Sequence, residues 1–443
     1  MDRSRSSAAV ASTLAAAALA LALGALPGAA DAADAGPDPA VFKARRARLV
    51  KVLGGKGLTV LYGKDRIGDG DKQSANFWYL TGVDDEGAAL VLAPEERAPA
   101  DREMLFLRPV DPEADRWTGE RPPLGADLRA RVGFEKVYRS ARLGGVVSDL
   151  ATRASTLAFL GPVAGFDAPV PRELSVLRDV SARVPGIGLK PYYYAVDDLR
   201  AVKEPLEIAM MRAAIRHTAA GHDAAAAAIR PGVREYEVKD LLEAAFRKDG
   251  ARRLAFPSIV GSGPNSTILH YPDDTRAMAA GELVVVDIGA EHEGYAADIT
   301  RTFPVNGHFE GEAKRVYEVV LAAQEAAMKK VRPGAFISDV HDAATKVIAD
   351  AGYGDYFIHG CCHFVGLDVH DAGDRSKPLQ PGMVLTVEPG IYIPAKGIGV
   401  RIEDEMLVTK SGAEHLTSML PRAPADVERW MASGRSAPVP TSH

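Results

Sequence analysis

The sequence predicts an α+β protein, in which a smaller α/β domain precedes a domain made of two similar halves. The tripeptide Arg-Pro-Gly occurs at residues 230–232 and again at 332–334, and the same order of elements surrounds each copy. In each half, a helical pair is followed by runs typical of antiparallel strands. Over residues 41–195, short β-like runs instead alternate with helix-like stretches, which is the pattern of an α/β domain.

Length and composition place the chain among ordinary globular proteins. It has 443 residues, 47% hydrophobic and 25% charged, which excludes a disordered or multi-span membrane protein. Lys plus Arg number 53 against 59 Asp plus Glu, the net charge is −6, and no basic block is present. We therefore expect no nucleic acid among the partners. The two cysteines are neighbours, Cys361 and Cys362, so no disulfide framework is expected.

The first 33 residues have the order of a secretory signal peptide. Arg3 and Arg5 precede an Ala/Leu-rich stretch over residues 8–26, and small residues follow around 30–33. A membrane anchor is the alternative, since the stretch approaches spanning length, but its alanine content and A-x-A-like sites favour cleavage. The sequence thus predicts a secreted or periplasmic protein with no membrane attachment after cleavage.

The domain predicted over residues 41–195 has three clear strand candidates: Leu58–Tyr62, Ala88–Leu92 and Met104–Leu107. Near residues 195–200 the alternating short runs give way to a long helix-like stretch, which marks the end of this domain. Pro205 suits the first turn of that helix. The second domain is expected over residues 200–425. Residues 433–443 are expected to form a flexible tail.

The helices of the second domain form two matched pairs. The sequence predicts them over Pro205–Ile229 and Glu235–Lys248 in the first half, and over Glu312–Lys330 and Ser338–Asp350 in the second. An Arg-Pro-Gly break separates the two helices of each pair, and a glycine follows the second helix. Two units of this kind would bury their sheets together and leave a cleft between them.

Four carboxylates lie on two matched hairpins of the second domain. In the first half Asp287 ends an apolar strand and Asp298 begins the return strand, so a turn midway would place them opposite each other. Glu388 and Glu403 stand in the same relation in the second half. Acidic residues are rarely buried unless they are paired or bound to a cation. Two such pairs therefore favour a cluster of divalent cations over four solvated strand ends.

A histidine-rich segment in the second half carries His359, His363 and His370. Beside four carboxylates, one imidazole would complete a ligand set of mostly oxygen, which suits Mn²⁺, Co²⁺ or Zn²⁺ better than a thiolate zinc site does. The two cysteines of this segment are expected to be structural, because vicinal side chains rarely face one metal together. A strand and loop that end at His270 are expected to carry that histidine to the cleft.

These motifs resemble those of the pita-bread metallopeptidases, and within them the Xaa-Pro aminopeptidases. The matching segments are Val286–Gly289, Tyr295–Thr302, His359–Asp371, Thr386–Gly390 and Gly399–Asp404, while Asn76–Val83 resembles the creatinase-like N-terminal domain of these enzymes. The resemblance implies two divalent metal ions per chain, Mn²⁺ before Zn²⁺ or Co²⁺, and a homo-oligomer. The metal ligands that it implies are Asp287, Asp298, His363, Glu388 and Glu403. The substrate site that it implies is lined by His270, His359, His370 and Arg401.

The resemblance also implies a reaction, the removal of the N-terminal residue from peptides with proline in second position. Water activated by the metals would attack the scissile carbonyl, with Glu388 as general base and His270 or His370 bonded to the carbonyl oxygen. Two alternatives stay open: a Xaa-Pro dipeptidase of the same fold, and an exported peptide-binding protein without enzymatic activity. One departure from the family is Cys361-Cys362, where an apolar and a small residue are more usual, and this leaves the redox sensitivity of the site open.

Overall fold

The computed structural model describes residues 37–68 and 71–435, and the described residues from Asp38 onward form one compact unit. The helices, α1 to α12, are Pro39–Val52, Ala75–Thr81, Pro112–Thr118, Ala126–Val132, Leu143–Ala151, Arg172–Ser181, Ala195–Ala201, Pro205–Ala228, Glu235–Lys248, Gly311–Met328, Ile337–Asp350 and Pro424–Arg435. The strands, β1 to β17, are Thr59–Tyr62, Ala89–Leu92, Glu103–Leu107, Lys136–Arg139, Thr156–Phe159, Gly188–Pro191, Arg253–Leu254, Ile259–Ser262, Leu283–Ile288, Ala290–His292, Tyr295–Ala296, Ile299–Pro304, Val384–Val387, Gly390–Ile393, Ile398–Arg401, Asp404–Val408 and Ala413–His415.

The predicted terminal segments fall mostly beyond this described part. The predicted signal peptide, residues 1–33, lies outside the described residues. Residues 433–435 of the predicted tail belong to α12, and residues 436–443 again lie outside the described part. Among the residues that the structure describes, no helix combines the length and the apolar character that crossing a membrane requires.

The first domain is built on the four-stranded sheet β1–β2–β3–β4, in which only the pair β3 and β4 is parallel. A parallel pair, β5 and β6, adjoins it where Leu58 bridges to Leu157. Side chains alternate between the two faces along a strand, and here both faces are apolar. Val91 packs in the core with α5 and α6, while Leu90 packs in the core with α1 and α2. The three predicted strands are present, each within one residue of its predicted bounds.

The second domain contains both predicted helix pairs, α8 with α9 and α10 with α11, within two residues of the predicted bounds. Pro205 occupies the first turn of α8, and the Glu204 backbone N–H donates to Glu207 Oε2 at 2.9 Å, which caps the helix. After α9 and α11 the chain turns at Gly250 and Gly352, with φ of 107° and 83°. Glycine reaches this left-handed region without the steric cost of a side chain.

The hairpin of the second half has the predicted register. The strand pairs β13–β16 and β14–β15 have the same register, and extending it along the hairpin places Glu388 opposite Glu403. At this point the hairpin opens, because the Glu388 N–H donates to Cys361 O at 2.8 Å and the Glu403 N–H donates to Thr300 O at 3.1 Å. The two carboxylates are thus held at a gap in the sheet, where the backbone also pairs with other segments.

The hairpin of the first half differs from the prediction by one position of its turn. The pairing of β9 with β12 places Asp287 opposite Thr300, not opposite Asp298. The turn lies at Glu293 and Gly294, which are both left-handed with φ of 48° and 84°. When a turn moves by one residue, the partner of each strand residue moves by two positions along the other strand. Each side chain therefore stays on the same face of the sheet. Asp298 therefore lies diagonal to Asp287 on the same face.

The two domains meet in a buried polar junction. Arg45 of α1 is 2% exposed and donates to the Tyr295 hydroxyl at 3.2 Å, and that hydroxyl donates to Glu207 Oε1 at 2.8 Å. Lys72 of the first domain donates to the carbonyl oxygen of Leu367, within the histidine-rich segment. The first domain is therefore in direct contact with the loop that carries the candidate site residues.

Candidate active site

The five predicted ligand residues converge at one point of the second domain, and they come from both halves. Asp287 is the next-to-last residue of β9, Asp298 precedes β12, His363 lies between α11 and β13, Glu388 follows β13, and Glu403 lies between β15 and β16. The Nε2 atom of His363 is 3.4 Å from Asp298 Oδ2 and 3.5 Å from Glu388 Oε1. Glu403 Oε1 is 3.9 Å from the same nitrogen. One donor atom each from Asp298, His363 and Glu403 lie within 4.8 Å of one another.

Hydrogen bonds fix one oxygen of two of these carboxylates and leave the other oxygen free. Asp287 Oδ2 accepts from Arg401 Nη2 at 2.6 Å, and Glu403 Oε2 accepts from the Thr300 hydroxyl at 2.7 Å. Asp287 Oδ1 and Glu403 Oε1 are buried and accept no hydrogen bond from the described residues. A buried acceptor without a partner is costly. A cation beside these two oxygens would remove that cost.

The imidazole of His363 is oriented toward the carboxylates through its other nitrogen. Its Nδ1 lies 3.0 Å from the carbonyl oxygen of Phe364, which can only accept, so Nδ1 carries the proton. Nε2 therefore faces three carboxylates, where it can direct a lone pair at a cation that lies between them. A metal-bound imidazole has the same arrangement, since its free N–H usually donates to a carbonyl or carboxylate.

Burial and mutual repulsion oppose ionisation of three of these carboxylates, those of Asp298, Glu388 and Glu403. Burial first, and then the charges of Asp287 and Glu388, raise the pKa of Asp298 well above its ordinary value. In the same way, burial and the charge of Glu403 raise the pKa of Glu388, and burial and the charge of Asp298 raise the pKa of Glu403. Such a set stays ionised at neutral pH only beside positive charge. Four carboxylates and one imidazole therefore fit divalent cations of the Mn²⁺, Co²⁺ and Zn²⁺ class.

Two of the predicted substrate-site histidines are exposed and lie on the solvent side of this cluster. The ring of His370 is 4.3 Å from the ring of His363, at an interplanar angle of 80°. Burial, the charge of His363 and the charge of His270 lower the pKa of His370, which places His270 near it as well. Because both His270 and His370 are exposed, they can reach a bound peptide.

The other two predicted substrate-site residues lie deeper, on either side of a tyrosine that was not among the predicted site residues. The Tyr392 hydroxyl is 2.8 Å from His359 Nε2 and accepts from Arg401 Nη1 at 2.9 Å. His359 Nδ1 is also 3.8 Å from Glu388 Oε2, and burial lowers the pKa of His359 to about 4, so the ring is neutral. Tyr392 lies four residues after Glu388, an even spacing in extended chain that could have indicated its inward position.

Two further residues that support the carboxylates were missed. Thr300 binds Glu403, as described above, and Glu405 Oε1 accepts from the Asp298 backbone N–H at 2.9 Å. Each follows a predicted ligand by two positions, Thr300 after Asp298 and Glu405 after Glu403. Alternation along a strand places such residues on the same face. That spacing was the available signal.

The loop that carries His370 is anchored by a buried ion-pair network. Asp371 accepts from Lys203 Nζ at 2.9 Å and also from Arg200, and Arg200 Nη1 donates to Asn76 Oδ1 at 2.6 Å. Burial opposes ionisation of Asp371, but the charges of Lys203 and Arg200 outweigh it and lower the pKa of this carboxyl. The position of His370, the preceding residue, therefore depends on contacts that extend into the first domain.

Similarity to known proteins agrees with this geometry. The model of metallopeptidase family M24 matches residues 209–410, and that of the aminopeptidase P N-terminal domain matches residues 42–158. The chain is 35% identical over 401 residues to the Xaa-Pro aminopeptidase of Escherichia coli strain K12, which covers 82% of this chain and 90% of that protein. The chain belongs to the aminopeptidase P group of metallopeptidase family M24.

Solved structures give the same result for this M24 enzyme. Aminopeptidase PepP from Pseudomonas aeruginosa superposes with a TM-score of 0.81 at 32% identity, over 91% of this chain and 100% of that one. The Xaa-Pro dipeptidase of Pyrococcus furiosus is 40% identical, but over 226 residues, which are 50% of this chain and 64% of that protein. The predictions of a pita-bread fold and of a metal-dependent aminopeptidase are confirmed, and the alternative of a dipeptidase is not favoured.

Proposed function

We propose that this M24 aminopeptidase removes the N-terminal residue from peptides whose second residue is proline. The specificity is supported by the Xaa-Pro aminopeptidase of E. coli, which matches both domains, whereas the matched Xaa-Pro dipeptidase corresponds to half of this chain. Because the nitrogen of proline carries no N–H, a site that selects it needs an apolar slot in place of a hydrogen-bond acceptor.

The proposal includes two divalent ions, with manganese as the native metal, bound by Asp287, Asp298, His363, Glu388 and Glu403. The observation that carries it is a pair of buried oxygens, Asp287 Oδ1 and Glu403 Oε1, which lie on residues from opposite halves and accept no hydrogen bond within the described part of the chain. When bound, the ions supply Lewis-acid chemistry, which lowers the pKa of a water and polarises a carbonyl.

Residues of the chain carry the proton steps and position the peptide. Glu388 accepts the proton of the attacking water and passes it to the leaving proline nitrogen. His270 and His370, which face solvent near the cluster, donate hydrogen bonds to the carbonyl oxygen as negative charge develops there. Arg401 holds Asp287 in place and, through Tyr392, fixes the neutral ring of His359 beside Glu388.

Peptide cleavage before and after metal removal tests this proposal. After chelation, we expect the enzyme to be inactive, and added Mn²⁺ should restore cleavage of Xaa-Pro-Yaa tripeptides more fully than Zn²⁺ or Co²⁺ does. Glu388→Gln should keep the circular dichroism spectrum and lose turnover by orders of magnitude, while Glu414→Gln, a change of an exposed carboxylate, should leave turnover unchanged. Faster cleavage of Xaa-Pro dipeptides than of tripeptides would favour the dipeptidase. Full activity of the Glu388 variant would contradict the role of that residue.

We also infer that the enzyme is exported to the periplasm or secreted, and that it forms a homo-oligomer. The basic residues Arg3 and Arg5, the apolar stretch after them and the small residues that follow support export. Cell fractionation with N-terminal sequencing of the mature chain tests export, and a cytosolic protein with residues 1–33 intact would contradict it. Light scattering of the purified enzyme tests the oligomer, and a monomer mass would contradict that part.

A further inference from the structure

The only two cysteines of the sequence lie side by side between α11 and β13, directly before the candidate ligand His363. Both are buried, Cys361 at 0% and Cys362 at 3% exposure. The sequence predicts a structural role for them, because vicinal side chains rarely face one metal together. In the structure the two Sγ atoms are 3.5 Å apart. The family resemblance and the proposed mechanism leave this thiol pair without a role.

The backbone around this pair is connected directly to the candidate active site. The Glu388 N–H donates to Cys361 O at 2.8 Å, and the carbonyl of Cys362 accepts from Arg375 Nη2 at 2.6 Å. The Cys361 N–H donates to His341 Nδ1 at 3.2 Å. A change in the peptide unit between the two cysteines therefore acts on Glu388 through one hydrogen bond and on His363 through the chain itself.

We propose that Cys361 and Cys362 are a reversible oxidation site, at which a hydroperoxide converts the two thiols into a vicinal disulfide that disables the active site. The sulfur of one thiol attacks a peroxide oxygen and breaks the O–O bond, so that Cys–SH and H₂O₂ give a sulfenic acid and water. The second thiol then displaces hydroxide from the sulfenic sulfur, which forms the S–S bond and releases a second water. Two thiols are oxidised and one peroxide is reduced.

Geometry explains why this disulfide would be both disruptive and reversible. Ordinary disulfides join residues whose Cα atoms are about 4.4–6.8 Å apart, whereas adjacent Cα atoms across a trans peptide are only about 3.8 Å apart. The bond therefore closes only if the peptide between Cys361 and Cys362 twists, which moves the carbonyl that accepts from Glu388. Strained disulfides are also the easily reduced ones. Thiol reductants should restore the original geometry.

The test treats the reduced, metal-loaded enzyme with stoichiometric H₂O₂ and follows intact mass, free-thiol count and cleavage of a Xaa-Pro-Yaa tripeptide. We expect the loss of two hydrogen atoms without added oxygen on the peptide that contains both cysteines. Cleavage should fall by more than tenfold in parallel, and dithiothreitol should restore it. The Cys361→Ala variant keeps the backbone contacts, so it should start with wild-type activity and resist peroxide. Cys362→Ser serves as a second variant if the first does not fold.

The activity measurement rests on the proposed function, but the mass measurement does not. An enzyme that cleaves no Xaa-Pro peptide even before oxidation would refute the proposed function and leave the mass result to decide the thiol chemistry. The oxidation proposal is overturned if peroxide gives no intrachain disulfide, if it gives sulfinic acid instead, or if the disulfide forms while cleavage is unchanged. Equal inactivation of wild type and Cys361→Ala would place the damage elsewhere and would also overturn it.

Discussion

Replacing Asp371 by asparagine removes a negative charge that pairs with both Lys203 and Arg200. The side chain of Asp371 is 1% exposed and that of Lys203 is also 1% exposed, so water cannot replace the lost carboxylate. Removing one partner of such a buried pair destabilises a protein by about 3–5 kcal/mol. With an unfolding entropy of about 2.1 cal/mol/K per residue over about 400 residues, this corresponds to a fall in Tm of roughly 4–6 °C. Because His370 is the preceding residue, turnover should fall as well.

The assay is thermal unfolding of the metal-loaded enzyme at two pH values, with Asp374→Asn as the matched control. Asp374 is a nearby exposed carboxylate, and its substitution should leave Tm unchanged. The folded state lowers the pKa of Asp371, so this group stabilises the fold above the ordinary aspartate pKa and loses its effect as the pH falls through the lowered one. The difference in Tm should therefore be present at pH 7 and shrink in strong acid. Equal Tm values for Asp371→Asn and wild type at pH 7 would refute this account of the network.

Two further predictions concern backbone packing and a buried histidine. In Gly399→Ala, the new Cβ would lie 1.9 Å from the carbonyl oxygen of Ser266, so we expect the free energy of unfolding to fall by about 1–3 kcal/mol and the activity to fall as well. In the control Gly412→Ala, the new Cβ meets no atom within 4 Å, so the free energy of unfolding should not change. Denaturant titrations of both variants measure this difference. Burial, and then the charge of Arg301, lower the pKa of His222 to about 3, so wild type should lose about 1.4 kcal/mol of unfolding free energy per pH unit below about 6.5. His222→Gln should remove this contribution to the dependence of the unfolding free energy on pH. An unchanged dependence on pH would contradict the neutral state of this histidine.

The sequence predicted those features that depend on local signals. Pro205 fixed the start of α8, and the turns at Gly250 and Gly352 marked the ends of α9 and α11, because proline and glycine restrict or extend backbone conformation locally. The two hairpins predicted four carboxylates beside cations, and the resemblance added His363 as the imidazole ligand. The facing pair Glu388 and Glu403 followed from counting along a hairpin, which succeeds when the turn is placed correctly.

The remaining features depend on conformations and contacts that local signals do not encode. The first-half hairpin turns at Glu293, a non-glycine residue with φ of 48°, which moved the turn by one residue and made Asp287 and Asp298 diagonal neighbours. The ion pair of Asp371 with Lys203 joins residues 168 positions apart. The close approach of the Sγ atoms of Cys361 and Cys362 likewise depends on the tertiary packing of their loop.

The central claim is that five side chains from two duplicated halves bind a dinuclear metal centre. The most direct measurement is a crystal structure of the Mn²⁺-loaded enzyme with anomalous data collected at the manganese edge. We predict two anomalous peaks among Asp287, Asp298, His363, Glu388 and Glu403, with the free oxygens Asp287 Oδ1 and Glu403 Oε1 each bound to a metal. A catalytically active crystal without anomalous density among these residues would contradict the claim.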